Sequence, residues 1–201
     1  MKMNLLEFII VNNPFRRFIQ GHFEMKGFLD VPSYVKEGKV IEIGCGSGYG
    51  TKLISSYFKP SEIYGIDIDE KMIWLAKKNR LPHVTFSVGD VANLSFKDNS
   101  IDGVFDFLIL HHIADWKKAL DEIYRVLKKG GQVFIEDASL ETFSTPFGRL
   151  IKLFTDHPYK SMYQMDELFH YFEKIGFRII KKKIYMPLGL TSRFVLVGIK
   201  G

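Results

Sequence analysis

Residues 39–51 read Lys-Val-Ile-Glu-Ile-Gly-Cys-Gly-Ser-Gly-Tyr-Gly-Thr, and this stretch decides the fold. The run from Lys39 to Ile43 is typical of a buried β-strand, and the amphipathic run over 51–58 predicts a helix. The alternate glycines between them predict a loop whose backbone can adopt positive φ angles and approach a ligand closely. The start of the helix offers free N–H groups and the positive end of its dipole, which suit a carboxylate or a phosphate.

The length and composition indicate one globular domain. The chain has 201 residues, of which 46% are hydrophobic and 25% are charged, so it can bury a sizeable core and is neither disordered nor a small disulfide-stapled protein. Cys45 is the only cysteine, which rules out an intramolecular disulfide and is typical of a reducing compartment, so we expect a cytoplasmic protein. The apolar runs are too short for an integral membrane segment.

The net charge of +5 is concentrated in the last third of the chain. Residues 1–140 hold 18 basic and 18 acidic residues, whereas residues 141–201 hold 10 basic and 5 acidic residues. A basic surface attracts anions such as nucleic acid, anionic lipid or an acidic small molecule.

Short apolar strands alternate with amphipathic helices from residue 38 onward, which indicates βαβ units and a parallel sheet. The clearest helix follows Asp115, its expected N-cap, and is expected to end at Gly130–Gly131. The last two strands are expected to be antiparallel neighbours. The sequence thus predicts an α/β, Rossmann-like fold, with a seven-stranded, mostly parallel sheet, an antiparallel last strand and helices on both faces. The predicted strands span residues 39–43, 62–68, 83–88, 101–107, 132–136, 177–185 and 193–199.

The spacing of the glycines distinguishes between two classes of ligand. A dinucleotide-binding loop reads GxGxxG, whereas this loop reads GxGxG after Glu42, and Tyr49 and Thr51 stand where a third glycine of that pattern would fall. The spacing therefore disfavours a nicotinamide oxidoreductase. Asp67 ends the second predicted strand, where a carboxylate can accept both hydroxyl hydrogens of a ribose; such an acid also suits NAD and does not choose the ligand alone.

Further motifs follow in a fixed order. Gly89-Asp90 follows the third predicted strand, Ile101-Asp102 begins the fourth, Leu110-His111-His112 follows it, and Arg125-Val-Leu-Lys-Lys-Gly-Gly131 precedes the fifth. With the glycine loop and Asp67, this order resembles the class I S-adenosylmethionine-dependent methyltransferases. It is most similar to the type 11 and ubiquinone/menaquinone methyltransferase-like group. The resemblance spans roughly residues 38–137, with Ile101 and Lys129 as mild departures from the usual Phe and Pro.

The resemblance implies S-adenosylmethionine as cofactor and S-adenosylhomocysteine as product. It assigns Asp67 to the ribose and Asp90 with the Val91 N–H to the adenine, while Met72 packs on the adenine or belongs to the core. Asp106 and Phe107 are assigned to the methionine moiety through their backbone, or Asp106 attracts the sulfonium or the substrate. The implied cofactor-binding residues are Glu42, Gly44, Cys45, Gly46, Gly48, Asp67, Ile68, Met72, Gly89, Asp90, Val91, Asp106 and Phe107.

The resemblance also divides the single domain into four parts. We expect a helical cover over residues 1–37 and a cofactor-binding core over 38–140. A substrate-cover insertion with a helix is expected over 141–176, and the last two strands over 177–201.

Catalytic residues are harder to find, because methyl transfer chiefly requires alignment and needs a base only when the acceptor must lose a proton. His112 is the candidate base, with a turn-capping role as the alternative. His157, Tyr159 and Arg149 are candidate substrate-binding residues in the segment after the fifth strand. The histidines and the cysteine lack zinc-like spacing, so no metal is expected.

The acceptor is expected to be a small or lipid-like molecule. Residues 5–30 and 140–165, the expected cover of the site, are rich in Phe, Met and Leu, which indicates an apolar acceptor or simply an apolar cover over the cofactor. Arg149, Lys152 and Lys160 are expected to flank the mouth of the site and to favour an acidic group on that molecule. An RNA methyltransferase and a non-catalytic cofactor-binding protein remain alternatives. Nucleic acid is the less favoured partner, since no appended RNA-binding domain follows from the sequence, and the oligomeric state is not predicted.

Overall fold

The computed structural model describes residues 12–155, 157–186 and 189–201. Seven strands form one sheet in the order β3-β2-β1-β4-β5-β7-β6. Strands β1 to β5 are parallel, and β7 is antiparallel to both of its neighbours, β5 and β6. This confirms the predicted fold class. The strands are β1 (Lys39–Ile43), β2 (Glu62–Asp67), β3 (Val84–Val88), β4 (Ile101–Phe107), β5 (Leu127–Asp137), β6 (Phe177–Tyr185) and β7 (Arg193–Lys200).

Helices connect the strands and cover both faces of the sheet. Asp69 and Asp115 act as N-caps, since their side chains accept hydrogen bonds from the Lys71 and Lys118 N–H groups. The helices are α1 (Pro14–Ile19), α2 (Lys26–Leu29), α3 (Tyr49–Phe58), α4 (Glu70–Lys77), α5 (Trp116–Val126), α6 (Pro146–Lys152) and α7 (Met165–Lys174); a π-helical stretch, Gln20–Glu24, joins α1 to α2.

One predicted boundary is wrong. Helix α5 ends at Val126, before the expected Gly130–Gly131 stop, and strand β5 begins at once with Leu127. Leu127 is fully buried and pairs with Ile101 of β4, so sheet pairing takes over where the local sequence would continue the helix. The register then shifts before the next pair, which accommodates the residues between Leu127 and Gln132 as an irregularity in β5.

Alternating strand residues build a separate core on each face of the sheet. On one face, Phe105 and Phe134 stack with their ring centroids 4.5 Å apart, and Phe58 of α3 and Phe28 of α2 pack on them. On the other face, strand residues such as Val104 and Ile135 pack against α5 and α7. The period of two in the strands is what sends neighbouring residues to opposite cores.

The N-terminal segment is fastened to the far end of the chain. Glu24, fully buried, accepts a hydrogen bond from Arg193 of β7 at 2.8 Å. Gly27 lies so close to Val195 that an added Cβ would approach its Cγ2 to 2.7 Å. This places α1 and α2 beside the carboxyl ends of the central strands. Residues 1–11 of the expected N-terminal cover, and Asp156 of the expected substrate cover, lie outside the described residues.

No helix within the described ranges combines the length and the apolar character that crossing a bilayer requires.

Removal of the Phe134 ring should open a cavity between two helices and the sheet. We expect Phe134→Ala to lower the free energy of unfolding by roughly 3–5 kcal/mol, measured by denaturant titration with circular dichroism. Tyr34→Ala is the matched control, since that ring is 68% exposed, and its loss should change stability by less than about 0.5 kcal/mol. Equal losses in the two variants would contradict the assignment of Phe134 to the core.

Candidate functional site

A cavity of about 710 Å³ lies at the carboxyl ends of β1 to β5. Ligands of open α/β sheets bind at this edge, and the volume falls within the range of small-molecule sites, about 300–1,000 Å³. Thirteen of the predicted site residues line it: Glu42, Gly44, Cys45, Gly46, Asp67, Ile68, Met72, Gly89, Asp90, Val91, Phe107, His112 and His157. Gly48, Asp106, Tyr159 and Arg149 are absent from its lining.

The glycine loop, residues 44–48, turns sharply between β1 and α3. Gly44, Gly46 and Gly48 all have positive φ angles, of 60°, 51° and 83°, which side chains other than glycine rarely adopt. An added Cβ on Gly44 would lie 2.1 Å from Ile109, whereas one on Gly46 would meet nothing within 4 Å. Gly46 therefore turns an open backbone face to the cavity. Gly48 lies outside the cavity because it packs against Asn79 at the end of α4.

Asp67 holds this loop in place from the end of β2. Its Oδ2 accepts a hydrogen bond from the Gly46 N–H at 2.9 Å, and its Oδ1 accepts one from the Asp69 N–H at 2.9 Å. The loop is also tied to β2 through the Cys45 N–H, which donates to the Ile66 carbonyl at 2.9 Å. Burial raises the pKa of Asp67 above its usual value. Each carboxylate oxygen retains a lone pair that can accept from a ligand hydroxyl.

The cavity wall beyond Asp67 is largely apolar. Ile68 is 47% exposed, an unusual exposure for an isoleucine that lines a cavity, and Met72 and Val91 are buried beside it. Asp90 lies at the outer edge of this wall, where its Oδ1 accepts from the Ala92 N–H at 2.9 Å. The wall offers apolar surface for a planar ring and an exposed carboxylate at its edge.

Glu42 is buried directly beneath the glycine loop. It is 2% exposed and accepts a short hydrogen bond from the Thr51 hydroxyl of α3. Burial, and next the nearby charge of Asp67, raises the pKa of Glu42 to about 8, although the hydrogen bond from Thr51 acts to lower this pKa. An added Cβ on Gly50 would lie 2.0 Å from Glu42, so this glycine makes room for the carboxyl group.

Asp106, predicted to contact the methionine moiety or to attract the sulfonium or the substrate, lies outside the cavity lining. It is fully buried at the end of β4, and its Oδ1 accepts from the Ile109 N–H at 2.9 Å. Burial and the neighbouring charge of Asp137 raise its pKa well above the usual value. Asp106 thus stabilises the turn after β4 through its hydrogen bond with Ile109, while Phe107 lines the cavity.

His111 forms a pair with Asp137 that sequence reasoning missed. The His111 ring Nδ1 makes a short hydrogen bond with Asp137 Oδ1, and the His111 backbone N–H donates to Oδ2 at 2.9 Å. Asp137 also accepts from the Tyr163 hydroxyl at 2.7 Å and from the Ala138 N–H at 2.7 Å. With this many partners the Asp137 carboxylate is fixed, and it fixes the orientation of the His111 ring.

His112 and His157 meet at the same end of the cavity. Their Nδ1 atoms lie 2.9 Å apart, so one ring donates and the other accepts. Burial, with the neighbouring His111, lowers the pKa of His112 well below its usual value and lowers that of His157 to about 4. Both rings are therefore neutral near pH 7, and the ring that donates this hydrogen bond keeps a lone pair on its Nε2. We call His111, His112 and His157 the histidine cluster.

Tyr159 supports the histidine cluster from behind. Its ring lies edge-on to His157, with centroids 5.4 Å apart, and its hydroxyl is 2.7 Å from the Thr155 hydroxyl. Arg149 is exposed on the outer side of α6, because Gly148 is the residue that packs inward, where an added Cβ would lie 2.0 Å from the Thr142 carbonyl oxygen. Lys160 also lies outside the cavity lining.

Three other arginines line the cavity, and none of them was among the predicted substrate-binding residues. We call Arg16, Arg17 and Arg193 the arginine wall. Arg16 Nη1 donates to both carboxylate oxygens of Glu24 at 2.9 Å, and Arg193 Nη1 is 3.6 Å from Glu136. Burial, and next the charge of Glu24, raises the pKa of Glu136 to about 8.

A family model described as a methyltransferase domain matches residues 41–135, the stretch that carries the glycine loop and Asp67. These residues form a methyltransferase domain. The match confirms the resemblance to the S-adenosylmethionine-dependent methyltransferases that the motif order indicated.

Curated relatives share this methyltransferase domain. The phthiotriol/phenolphthiotriol dimycocerosates methyltransferase of Mycobacterium tuberculosis is 36% identical over 94 residues, which cover 46% of this chain and 35% of that protein. The demethylmenaquinone methyltransferase of Symbiobacterium thermophilum is 32% identical over 119 residues, covering 56% of this chain and 45% of that protein. The chain thus spans less than half the length of these relatives.

A solved structure shares the whole fold. The S-adenosylmethionine-dependent methyltransferase from Aquifex aeolicus superposes with a TM-score of 0.75 at 20% identity, and the match covers 100% of both chains. The methyltransferase domain therefore lies within a fold that also includes the N-terminal helices and the last two strands.

The raised pKa of Glu42 predicts a pH-dependent stability. Below about pH 4.5 both the folded and the unfolded states hold the proton; as the pH rises toward 8, only the unfolded state releases it, so the folded state loses stability. The free energy of unfolding of the wild type should therefore fall, relative to that of Glu42→Gln, by roughly 1 kcal/mol per pH unit between about pH 5 and pH 7.5.

Urea titrations across this pH range measure the difference. Glu70→Gln, at an exposed position of α4, controls for the loss of one carboxylate and should follow the wild type. A Glu42→Gln curve parallel to the wild-type curve would contradict the raised pKa.

Proposed function

We propose that this chain is an S-adenosylmethionine-dependent methyltransferase acting on a small or lipid-like acceptor. The observation that carries the proposal is the continuity of the cavity: the glycine loop and Asp67 line one end, and the histidine cluster lines the other. A cofactor held at the first end can present its methyl group to an acceptor held at the second. The transferred methyl carbon exchanges its bond to sulfur for a bond to the acceptor, and any proton on the acceptor atom must leave.

The residues present fit S-adenosylmethionine, which supplies an activated methyl group when bound. Asp67 is an acceptor-only carboxylate with lone pairs directed at the cavity end, which suits ribose hydroxyls. Gly46 leaves open space where a side chain would block a ligand. Ile68, Met72 and Val91 offer apolar contact for an adenine, and Asp90 at their edge can accept from its amino group.

The far end of the cavity favours an acceptor with an apolar body. Phe143, Ile151 and Pro158 line it together with the threonines at 142 and 155. The names of two relatives, which describe action on demethylmenaquinone and on phthiotriol and phenolphthiotriol dimycocerosates, support acceptors that are larger than polar metabolites. We therefore place the acceptor between the histidine cluster and these apolar residues.

The protein's contribution to the reaction is alignment, exclusion of water and removal of a proton. Holding two reactants in line can supply several kcal/mol of the barrier reduction without a nucleophile. His112 is our candidate base, because it lines the cavity and remains neutral near pH 7 through its lowered pKa. His157, hydrogen-bonded to His112 at 2.9 Å, would then orient that ring.

The arginine wall suits an acidic group on a bound ligand. Arg16 and Arg193 share Glu24 as their ion-pair partner, and Glu136 keeps its proton near neutral pH because its pKa is raised to about 8. Positive charge is thus in excess at this wall. The charge expected from the last third of the chain reaches the cavity through Arg193, joined by Arg16 from the N-terminal helix.

Calorimetric titration with S-adenosylmethionine and with S-adenosylhomocysteine tests this function directly. We expect saturable binding of both, one molecule per chain. Asp67→Asn should weaken both affinities by tenfold or more, because an amide in place of the carboxylate loses an acceptor for the ribose and for the loop.

Asp166→Asn makes the same chemical change on an exposed position of α7 and should leave both affinities unchanged. A folded wild type that binds neither compound would overturn the proposed function. An unchanged affinity in Asp67→Asn would remove the ribose role of that residue.

A further inference from the structure

The histidine cluster gathers three potential metal ligands that are distant in sequence. His111 and His112 follow β4, whereas His157 belongs to the segment between α6 and α7. Each ring offers one nitrogen such that the three atoms lie within 4.8 Å of one another. Imidazole nitrogen is a preferred ligand of zinc and of neighbouring first-row divalent metals.

The geometry of the rings is close to that of a three-histidine metal site. Ring centroids lie 4.1 Å apart for His111 and His112, 4.3 Å for His112 and His157, and 5.2 Å for His111 and His157. Three imidazoles around one tetrahedral zinc, with Zn–N distances near 2.0–2.1 Å, have centroids roughly 5 Å apart. Rotation of the His112 and His157 side chains would replace their present hydrogen bond by metal ligation.

A carboxylate already orients one of these ligands. His111 uses Nδ1 to bond Asp137, which leaves its Nε2 for another partner. Metal-ligating histidines usually make this contact through the ring nitrogen that does not bind the metal. Asp137 is itself held by the Tyr163 hydroxyl and the Ala138 N–H, so the orientation exists before any ligand binds.

From these observations we propose that the histidine cluster is a binding site for one divalent transition metal ion, with Zn²⁺ as the preferred ion. The three protein ligands all line the cavity, so the fourth position of a tetrahedral ion faces the space that we assign to the acceptor. An arrangement of three protein ligands with one open position is typical of catalytic rather than structural zinc. An oxygen or sulfur atom of the acceptor is the group that this position would take.

This metal site changes the role of His112. With the ion bound, the lone pair of His112 would be used in ligation. The metal charge would then lower the pKa of a hydroxyl or thiol bound to the ion, and this group would release its proton to solvent instead of to an imidazole base. The positions of the three histidine rings and of Asp137 support this metal site, and metal binding there does not require that the chain transfers methyl groups.

Zinc titration of untagged, chelator-treated protein tests the site. Calorimetry should show one Zn²⁺ per chain, and Co²⁺ should give a visible absorption band of a nitrogen-ligated ion. Each of His111→Asn, His112→Asn and His157→Asn should weaken the Zn²⁺ affinity by about tenfold or more. His170→Asn, on the exposed face of α7, is the matched control and should bind as the wild type does.

Circular dichroism melting curves establish which variants are folded, and His157→Asn, in a half-buried connecting segment, is the variant expected to melt as the wild type does. The proposal is overturned if the wild type binds no Zn²⁺ saturably, or if His157→Asn and any other folded cluster variant keep the wild-type affinity. Cofactor titration of the same samples separates this outcome from failure of the proposed function, since cofactor binding requires Asp67 and not the histidine cluster.

Discussion

The hydrogen bond from the Gly46 N–H to Asp67 is the contact on which the site depends. It ties the glycine loop after β1 to the end of β2 at 2.9 Å, and the adjacent bond from Cys45 to Ile66 repeats the link through the backbone. The loop can make this turn only because Gly44 and Gly46 adopt left-handed conformations. The same turn leaves open space at Gly46. The left-handed glycines thus allow the contact between the loop and β2 and also leave room for a ligand in the cavity.

Buried acids gather where the parallel strands end. Glu42, Asp67, Asp106 and Asp137 close β1, β2, β4 and β5, and all four are buried. The protein accommodates them in different ways. Burial raises the pKa of Glu42 to about 8, so this group holds its proton near neutral pH, and burial raises the pKa of Asp106 well above its usual value. Asp137 is held by four hydrogen bonds. Asp67 alone of the four combines a place on the cavity wall with two backbone donors that support its charge.

Much of the fold followed from local sequence patterns, since apolar period and glycine spacing act within a few residues. The strand positions, the N-cap at Asp115 and the positive φ angles of the glycine loop are of this kind. The boundary between α5 and β5 did not follow from local sequence. Leu127 pairs with Ile101 of a neighbouring strand, and this long-range pairing outweighs the local helix signal.

The difference between local patterns and long-range contacts also explains which site residues could be predicted. Most of the thirteen predicted residues that line the cavity lie at or just after the ends of parallel strands, and these ends must meet. The His111–Asp137 pair and the contact from Arg193 to Glu24 join residues 26 and 169 positions apart. No periodicity in one sequence encodes such pairs. The charge of the last third of the chain was visible from composition, but only the pairing of β7 showed that Arg193, and not Arg149, brings it to the cavity.

Transfer of a labelled methyl group tests the central claim most directly. The chain is incubated with methyl-labelled S-adenosylmethionine and, in parallel, with lipid extract, small-molecule extract and RNA. We expect label in an extracted lipid or small molecule, with an equal amount of S-adenosylhomocysteine formed, and loss of both with Asp67→Asn. Label confined to RNA, or cofactor binding without transfer to any fraction, would contradict this claim.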